Sequence, residues 1–191
     1  MSTATRITVA NYDRMIAEGV FDGRVSRPRI ELIDGELREM SPIGSQHELA
    51  IAILTEWSVQ KLPAGKAWAW VQCSIAIPER DSAPQPDLAW VARKDYSPSH
   101  PTHPDVFLII EVADSTVIYD CGEKANLYAS AGIADYWVVN IPGRSVEVFR
   151  QPENGRFRSR QTFQAPAEIR PLAFPQVALP VEKLFPAQAG A

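Results

Sequence analysis

Asp87, Glu111 and Lys124 stand in three successive segments of the chain, PDLAWV, VFLIIEVADST and DCGEKANLYASAG. The first two are short apolar runs interrupted by an acid. Asp87 opens one, and Glu111 follows Val106-Phe107-Leu108-Ile109-Ile110 near the end of the other. An ionised carboxylate in such a run needs a cation or several hydrogen-bond donors, because unpaired burial shifts its pKa or excludes it from the core. Two acids on adjacent strands, with an ammonium from the following helix, suit a divalent metal. Magnesium takes one or two carboxylates with water and substrate phosphate in preference to a full protein cage. The residue types and their order therefore point to the skeleton of a metal-dependent phosphodiesterase.

Each residue taken singly also has an ordinary reading. Asp87, after Pro86, could begin a strand and cap a turn. Lys124 lies four residues after Asp120, an everyday helix ion pair. Glu111 resists such a reading, because Ile110 and Val112 flank it. Trp57, Trp68, Trp70, Trp90 and Trp137 read as core or interface.

The elements that must position these residues can be followed in order. Thr8 precedes VANYDRMIAEG, whose Val9, Tyr12, Ile16 and Ala17 recur at helical spacing up to Gly19. RIELIDGELREM places Asp34-Gly35 between two alternating pieces, a type I′ hairpin signal, with Glu31 in the first arm. IGSQHELAIAILTEWSVQKL is a long helix with an apolar stripe of Leu49, Ile53, Leu54, Trp57 and Leu62, ended by Pro63 and carrying His47 in its first turns. AWAWVQCSIAIP reads as a strand with apolar layers on both sides. The proline-containing ARKDYSPSHPTHPD, with His100 and His103, is a surface loop whose histidines have a weak claim to a metal. YWVVN, SVEVFR and RFRSRQTF, separated by IPGR and QPENG, form an antiparallel meander. The tail PLAFPQVALPVEKLFP is expected to wrap the surface and end in one helical turn at VEKLF. The sum is an α/β architecture: a mixed sheet flanked by helices, with a C-terminal antiparallel extension.

At 191 residues, 46 % hydrophobic and 22 % charged, residues 1–191 are expected to form a single domain with a sizeable core. A formal charge of −4 and a pI of 5.4 give no bulk basic footprint for nucleic acid. Cys73 and Cys121 offer neither CxxC spacing nor a disulfide framework, so a reducing, cytoplasmic setting is expected. No apolar run is long enough to cross a bilayer, and the N-terminus lacks the apolar core of a signal peptide, so no membrane partner is expected.

The ordered set ELIDGEL, His47 in a helix, PQPDLAWV, LIIEVADST and DCGEKANLYASAGIADYWVVN resembles the Uma-type family, whose bacterial members are described as restriction endonucleases within the PD-(D/E)XK nuclease superfamily. The resemblance runs from about Tyr12 to the meander and implies a restriction-endonuclease-like fold. It implies that Asp87 and Glu111 bind Mg²⁺, or Mn²⁺, with the Val112 backbone carbonyl as a third ligand. Where the superfamily places lysine two residues after the acid, this chain has Ala113. The amine is implied to come from Lys124 on the next helix, which a four-carbon stem allows. Glu31 matches an early glutamate able to bind a second metal or hold a water, with pairing to Arg29 or Arg38 as its ordinary reading. His47 matches a helix histidine suited to phosphate contact or to orienting a ligand. Gln72 and Gln85 could also face the site. The activity implied is hydrolysis of DNA phosphodiesters, with no organic cofactor; a homodimer is expected because two sites are the simplest way to cut both strands of a duplex. A non-catalytic binding or assembly module on the same fold is the alternative.

Overall fold

The computed structural model describes residues 6–22 and 29–186. Helix α1 (Val9–Ala17) begins where the Thr8 hydroxyl accepts from the Asn11 amide at 3.2 Å, satisfying a donor that a helix start leaves open. Asp34 and Gly35 have φ of 51° and 78°, the doubly positive pair a type I′ turn requires. Strands β1 (Ile30–Ile33) and β2 (Glu36–Glu39) therefore fold back on each other with Ile33 opposite Glu36.

Helix α2 (Ser45–Lys61) stops before Pro63, as expected. Its buried side is His47, Ala50, Leu54, Trp57 and Ser58. Leu49, expected on that side, is turned outward and 48 % exposed, because the stripe is centred on Ala50 and Leu54.

The main sheet has six strands in the order β3-β4-β5-β6-β7-β8. They are β3 (Ala67–Val71), β4 (Leu88–Ala92), β5 (Val106–Ala113), β6 (Asp135–Asn140), β7 (Ser145–Glu153) and β8 (Arg156–Phe163). Neighbours are antiparallel except β5 and β6, which run parallel. A parallel pair needs a crossover. Here it is α3 (Val117–Tyr119), a π-helical turn (Asp120–Lys124) and α4 (Ala125–Ser130) in unbroken succession. The expected meander is present in β6, β7 and β8.

Strand β3 is shorter than the sequence suggested. Gln72 has φ of 51°, which ends the strand after Val71. It is an edge strand, yet Val71 packs into the α2 layer and Trp70 into the α4 layer, so apolar contacts on both faces are kept as expected. Trp68 is 40 % exposed and lies under the Arg93 guanidinium, 4.1 Å from the ring centroid.

The sheet divides the core into two layers. On one side Leu88, Trp90, Leu108, Ile110 and Trp137 pack against Ala50, Leu54 and Trp57 of α2. On the other, Ala89, Val91, Ile109, Ala113 and Val138 pack against Ala125, Leu127 and Tyr128 of α4. Such alternation is the period of two that a doubly covered strand imposes.

The tail does not merely wrap the surface. Strands β9 (Glu168–Ile169) and β10 (Leu179–Pro180) pair, and the predicted helical turn forms at Val181–Leu184 as a 3₁₀ turn. Ile169, Val177, Leu179, Val181 and Leu184 are buried in the α2 layer, and Trp57 Nε1 donates to the Ala178 carbonyl at 2.9 Å. Periodic prolines gave these residues an extended path; apolar burial put that path inside. Asp135, fully buried at the start of β6, accepts from Arg150 Nε, Trp137 Nε1 and the Leu172 amide, each at 2.8 Å, and so fastens the tail to the sheet. Among the described residues no helix is long and apolar enough to cross a membrane.

Candidate active site

The β4–β5 register sets Leu88 opposite Ile110 and Ala89 opposite Ile109, so the next pair outward is Asp87 opposite Glu111. Both acids share the side of Ala89, Ile109 and Ala113, the side that α4 covers. Like charges directly opposite one another on a sheet are destabilising, and buried ones more so. Three neighbouring elements supply the compensation.

Lys124 comes from the end of the π turn. Its Nζ lies 3.0 Å from Glu111 Oε1 and 3.4 Å from Glu31 Oε2, joining β5 to β1 of the hairpin. Tyr128, one turn further on, donates to Glu111 Oε1 at 2.7 Å. Tyr136 Oη donates to the Asp120 carbonyl at 2.9 Å and so ties the widened turn to β6. His47 approaches from α2, over the end of the sheet, with Nε2 3.1 Å from Asp87 Oδ2, and the Val112 amide donates to the same oxygen at 2.9 Å. The structure thus brings Asp87, Glu111, Lys124, Glu31 and His47 to one cavity of about 250 Å³, which Val112 also lines. None of the five is more than 8 % exposed.

The electrostatics follow from this packing. Burial raises the Asp87 carboxyl, but the His47 hydrogen bond and charge and the Val112 amide outweigh it, leaving Asp87 below its ordinary value. Burial would lower His47, and Asp87 reverses that, so the imidazole lies above its ordinary value. Glu111 is pushed by burial up to about 8; Lys124 pulls it down, while Asp87, Asp120 and Glu31 push it further up. Burial would also lower Lys124, yet Glu111, Glu31 and Asp120 hold the ammonium above its usual range.

A divalent cation fits this donor set. Asp87 Oδ2 and Glu111 Oε1 each have two short partners. Asp87 Oδ1 has only Gln72 Nε2 at 3.4 Å, and Glu111 Oε2 only the Asp87 amide at 3.4 Å. Each acid therefore keeps one oxygen with spare acceptor capacity for a cation. Among the described residues there is no three-ligand cluster of His, Cys, Asp and Glu, as a closed zinc site would require. Two carboxylates beside a cavity are an open donor set, with positions left for water.

Glu31 does not pair with Arg38, which instead bonds Glu123 and the Tyr119 hydroxyl. The Gln85 amide reaches Glu31 Oε2 at 3.4 Å while its side chain donates to the Ile30 carbonyl at 2.9 Å, so Gln85 supports the hairpin from behind. Of the loop histidines, His100 bonds Asp13 at 3.1 Å and His103 lies beside Gly132; neither lines the cavity. Tyr128 was not singled out in the sequence, since an aromatic on an apolar helix face reads as core. Its spacing of four from Lys124, which puts both on one face, is the signal that could have found it.

The likenesses to known proteins agree with this architecture. The chain is similar over 88 % of its length, at 15 % identity and a TM-score of 0.68, to 96 % of a chain from Anabaena variabilis whose crystal structure is described as "a putative nuclease belonging to DUF820". No curated protein matches the sequence. A family described as "Putative restriction endonuclease" matches residues 11–182, a span that contains the hairpin, α2, the six-stranded sheet and all five cavity residues. The chain therefore belongs to the Uma2 family of restriction-endonuclease-like proteins.

Proposed function

We propose that the protein is a divalent-metal-dependent endonuclease that hydrolyses DNA phosphodiesters. The observation that carries this reading is the facing pair Asp87 and Glu111, buried in one cavity with Lys124 bridging Glu111 and Glu31. Family membership supplies the reaction class, and the nuclease description of the Anabaena variabilis protein is consistent with it.

Asp87 and Glu111, with the Val112 carbonyl, would hold Mg²⁺ or Mn²⁺, and Glu31 stands close enough to Lys124 to share in a second site or to hold a water. When bound, such a cation polarises a phosphate oxygen and lowers the pKa of an attacking water. The chain's own groups do the rest. Lys124 places positive charge where charge builds on the phosphate in the transition state, and its fixed position between two carboxylates means that little reorganisation is needed. His47 keeps Asp87 ionised and fixes which of its oxygens faces the cavity. Tyr128 and Lys124 together fix the Glu111 rotamer.

Cleavage of duplex, single-stranded and branched DNA in Mg²⁺ or Mn²⁺ tests the proposal, with Asp87→Ala as control. Cleavage by the wild type and its loss in the variant are expected; equal rates from both end it. The net charge of −4 favours a second reading, a nuclease-fold module that binds or assembles without turnover. Calorimetric titration with Mg²⁺ and Mn²⁺ separates metal binding from turnover. A homodimer, the simplest way to present two sites to two strands, is tested by sedimentation at micromolar concentration.

A further inference from the structure

The cavity holds one cation that the scheme above leaves idle. Lys124 is taken up by Glu31 and Glu111, His47 by Asp87, and Arg38 by Glu123. Arg29 lines the same cavity, yet no carboxylate lies within ion-pair distance of it among the described residues, and its Nη2 is buried without a hydrogen-bond partner. Among the described residues, His47 Nδ1 is the other buried side-chain atom in this condition, and His47 lines the same cavity.

The backbone gives Arg29 a fixed root. The Met40 amide donates to the Arg29 carbonyl at 2.8 Å, continuing the β1–β2 ladder by one step beyond Ile30 opposite Glu39. The side chain therefore leaves a hydrogen-bonded hairpin and not a free loop. A buried guanidinium nitrogen with no acceptor is costly, and such groups in a native fold call for an explanation. A cation cannot supply it, because a guanidinium has donors only. An anion with acceptor oxygens can, and a planar fork of N–H groups matches phosphate.

We infer that Arg29 binds a non-bridging oxygen of the substrate's phosphodiester backbone within this cavity. The inference rests on the nuclease reading and adds a substrate-contacting residue to it. Arg29 would grip a phosphate of the strand that Asp87 and Glu111 confront. Arg29→Lys retains the charge and loses the fork; Arg29→Met loses both while keeping the length of the stem.

The test uses the full chain and a fluorescein-labelled DNA duplex. Anisotropy in Ca²⁺ over a series of salt concentrations gives the dissociation constant, and cleavage in Mg²⁺ gives kcat and KM. Arg29→Met is expected to weaken duplex binding roughly tenfold to a hundredfold, the scale of a charged hydrogen bond, and to flatten the logarithmic salt dependence by about one unit. Arg29→Lys is expected to keep the salt slope and to lose about tenfold in kcat/KM, since a single ammonium does not reproduce a bidentate contact. That second variant carries the test if Arg29→Met folds poorly. Wild-type affinity, slope and kcat/KM in both variants, with cleavage still abolished in Asp87→Ala, would overturn the inference and leave the nuclease reading standing. A wild type that neither binds nor cuts duplex, single-stranded or branched DNA overturns both.

Discussion

Asp87 and Glu111 face each other across the end of the β4–β5 ladder, with the Asp87 amide 3.4 Å from Glu111 Oε2 and the Val112 amide 2.9 Å from Asp87 Oδ2. Two acids in a cross-strand pair, each nearly excluded from solvent, oppose the folding of the sheet they belong to. Glu111→Gln should therefore leave the apoprotein about as stable as the wild type or slightly more so. Cleavage should fall by at least about 10²- to 10³-fold, and the heat of Mn²⁺ binding should disappear. Urea melts and calorimetry on the same preparation check both halves of this expectation.

Lys124→Met removes the ammonium shared by Glu31 and Glu111 and leaves two buried carboxylates facing one another. Stability should drop by about 3–5 kcal/mol above about pH 8, where Glu111 is ionised. The loss should shrink as pH falls through about 8, because Glu111, raised by burial to that value, takes a proton. Denaturation midpoints at about pH 6 and about pH 9 give the comparison. A loss of equal size at both pH values would mean that the charge at position 124 is not what matters.

The His47–Asp87 pair makes a prediction with a definite pH window. Asp87 is lowered in the folded state, so its contribution is present above the unfolded carboxylate value near pH 3.9, roughly, and is lost as pH falls through the folded value. His47 is raised, so its contribution is complete below an unfolded value of about 6.5 and is lost as pH rises through the folded value. The stability gap between wild type and His47→Gln should thus be widest between about pH 4 and 6.5 and narrow above it. Chemical denaturation at several pH values would expose a flat difference, which contradicts the pairing.

Tyr128→Phe deletes one hydroxyl and no packing volume. Glu111 Oε1 keeps Lys124 but loses its second donor, so the carboxylate regains rotamer freedom. Metal affinity should weaken by about 10- to 100-fold, with a stability cost of about 1–3 kcal/mol for the lost hydrogen bond to a charged acceptor. Titration calorimetry reads the first, and thermal unfolding without metal reads the second. An unchanged metal affinity would restrict Tyr128 to a packing role.

Much of the scaffold could be read from local chemistry. Thr8, Asp34-Gly35 and Pro63 each act within one turn of backbone, and each does what its own stereochemistry dictates. Misreadings arose where distant packing decides. Nothing local to AWAWVQCSIAIP says that the strand stops at Gln72, and Leu49 and Ala50 trade places when α2 rotates by one residue's angle. The proline-rich tail is buried because the α2 layer needs a cover, which is a property of the sheet and not of the tail. At the site, acid, acid and lysine stood out because charge is rare among apolar neighbours. Tyr128 and the π turn beneath Lys124 did not, since one is camouflaged by hydrophobic company and the other leaves no pattern in residue types. Arg29 was visible only as a possible partner for Glu31; its unpaired nitrogen needs coordinates.

The covering of α2 by residues 169–185 has a consequence for how the protein is made. Synthesis proceeds from the N-terminus, so the helix that carries His47 must wait, with Leu54 and Trp57 unsheltered on one flank, until a segment more than a hundred residues downstream has left the ribosome. The residues of the facing layer around α4 leave the ribosome earlier, so the layer that buries Leu54 and Trp57 is completed after it.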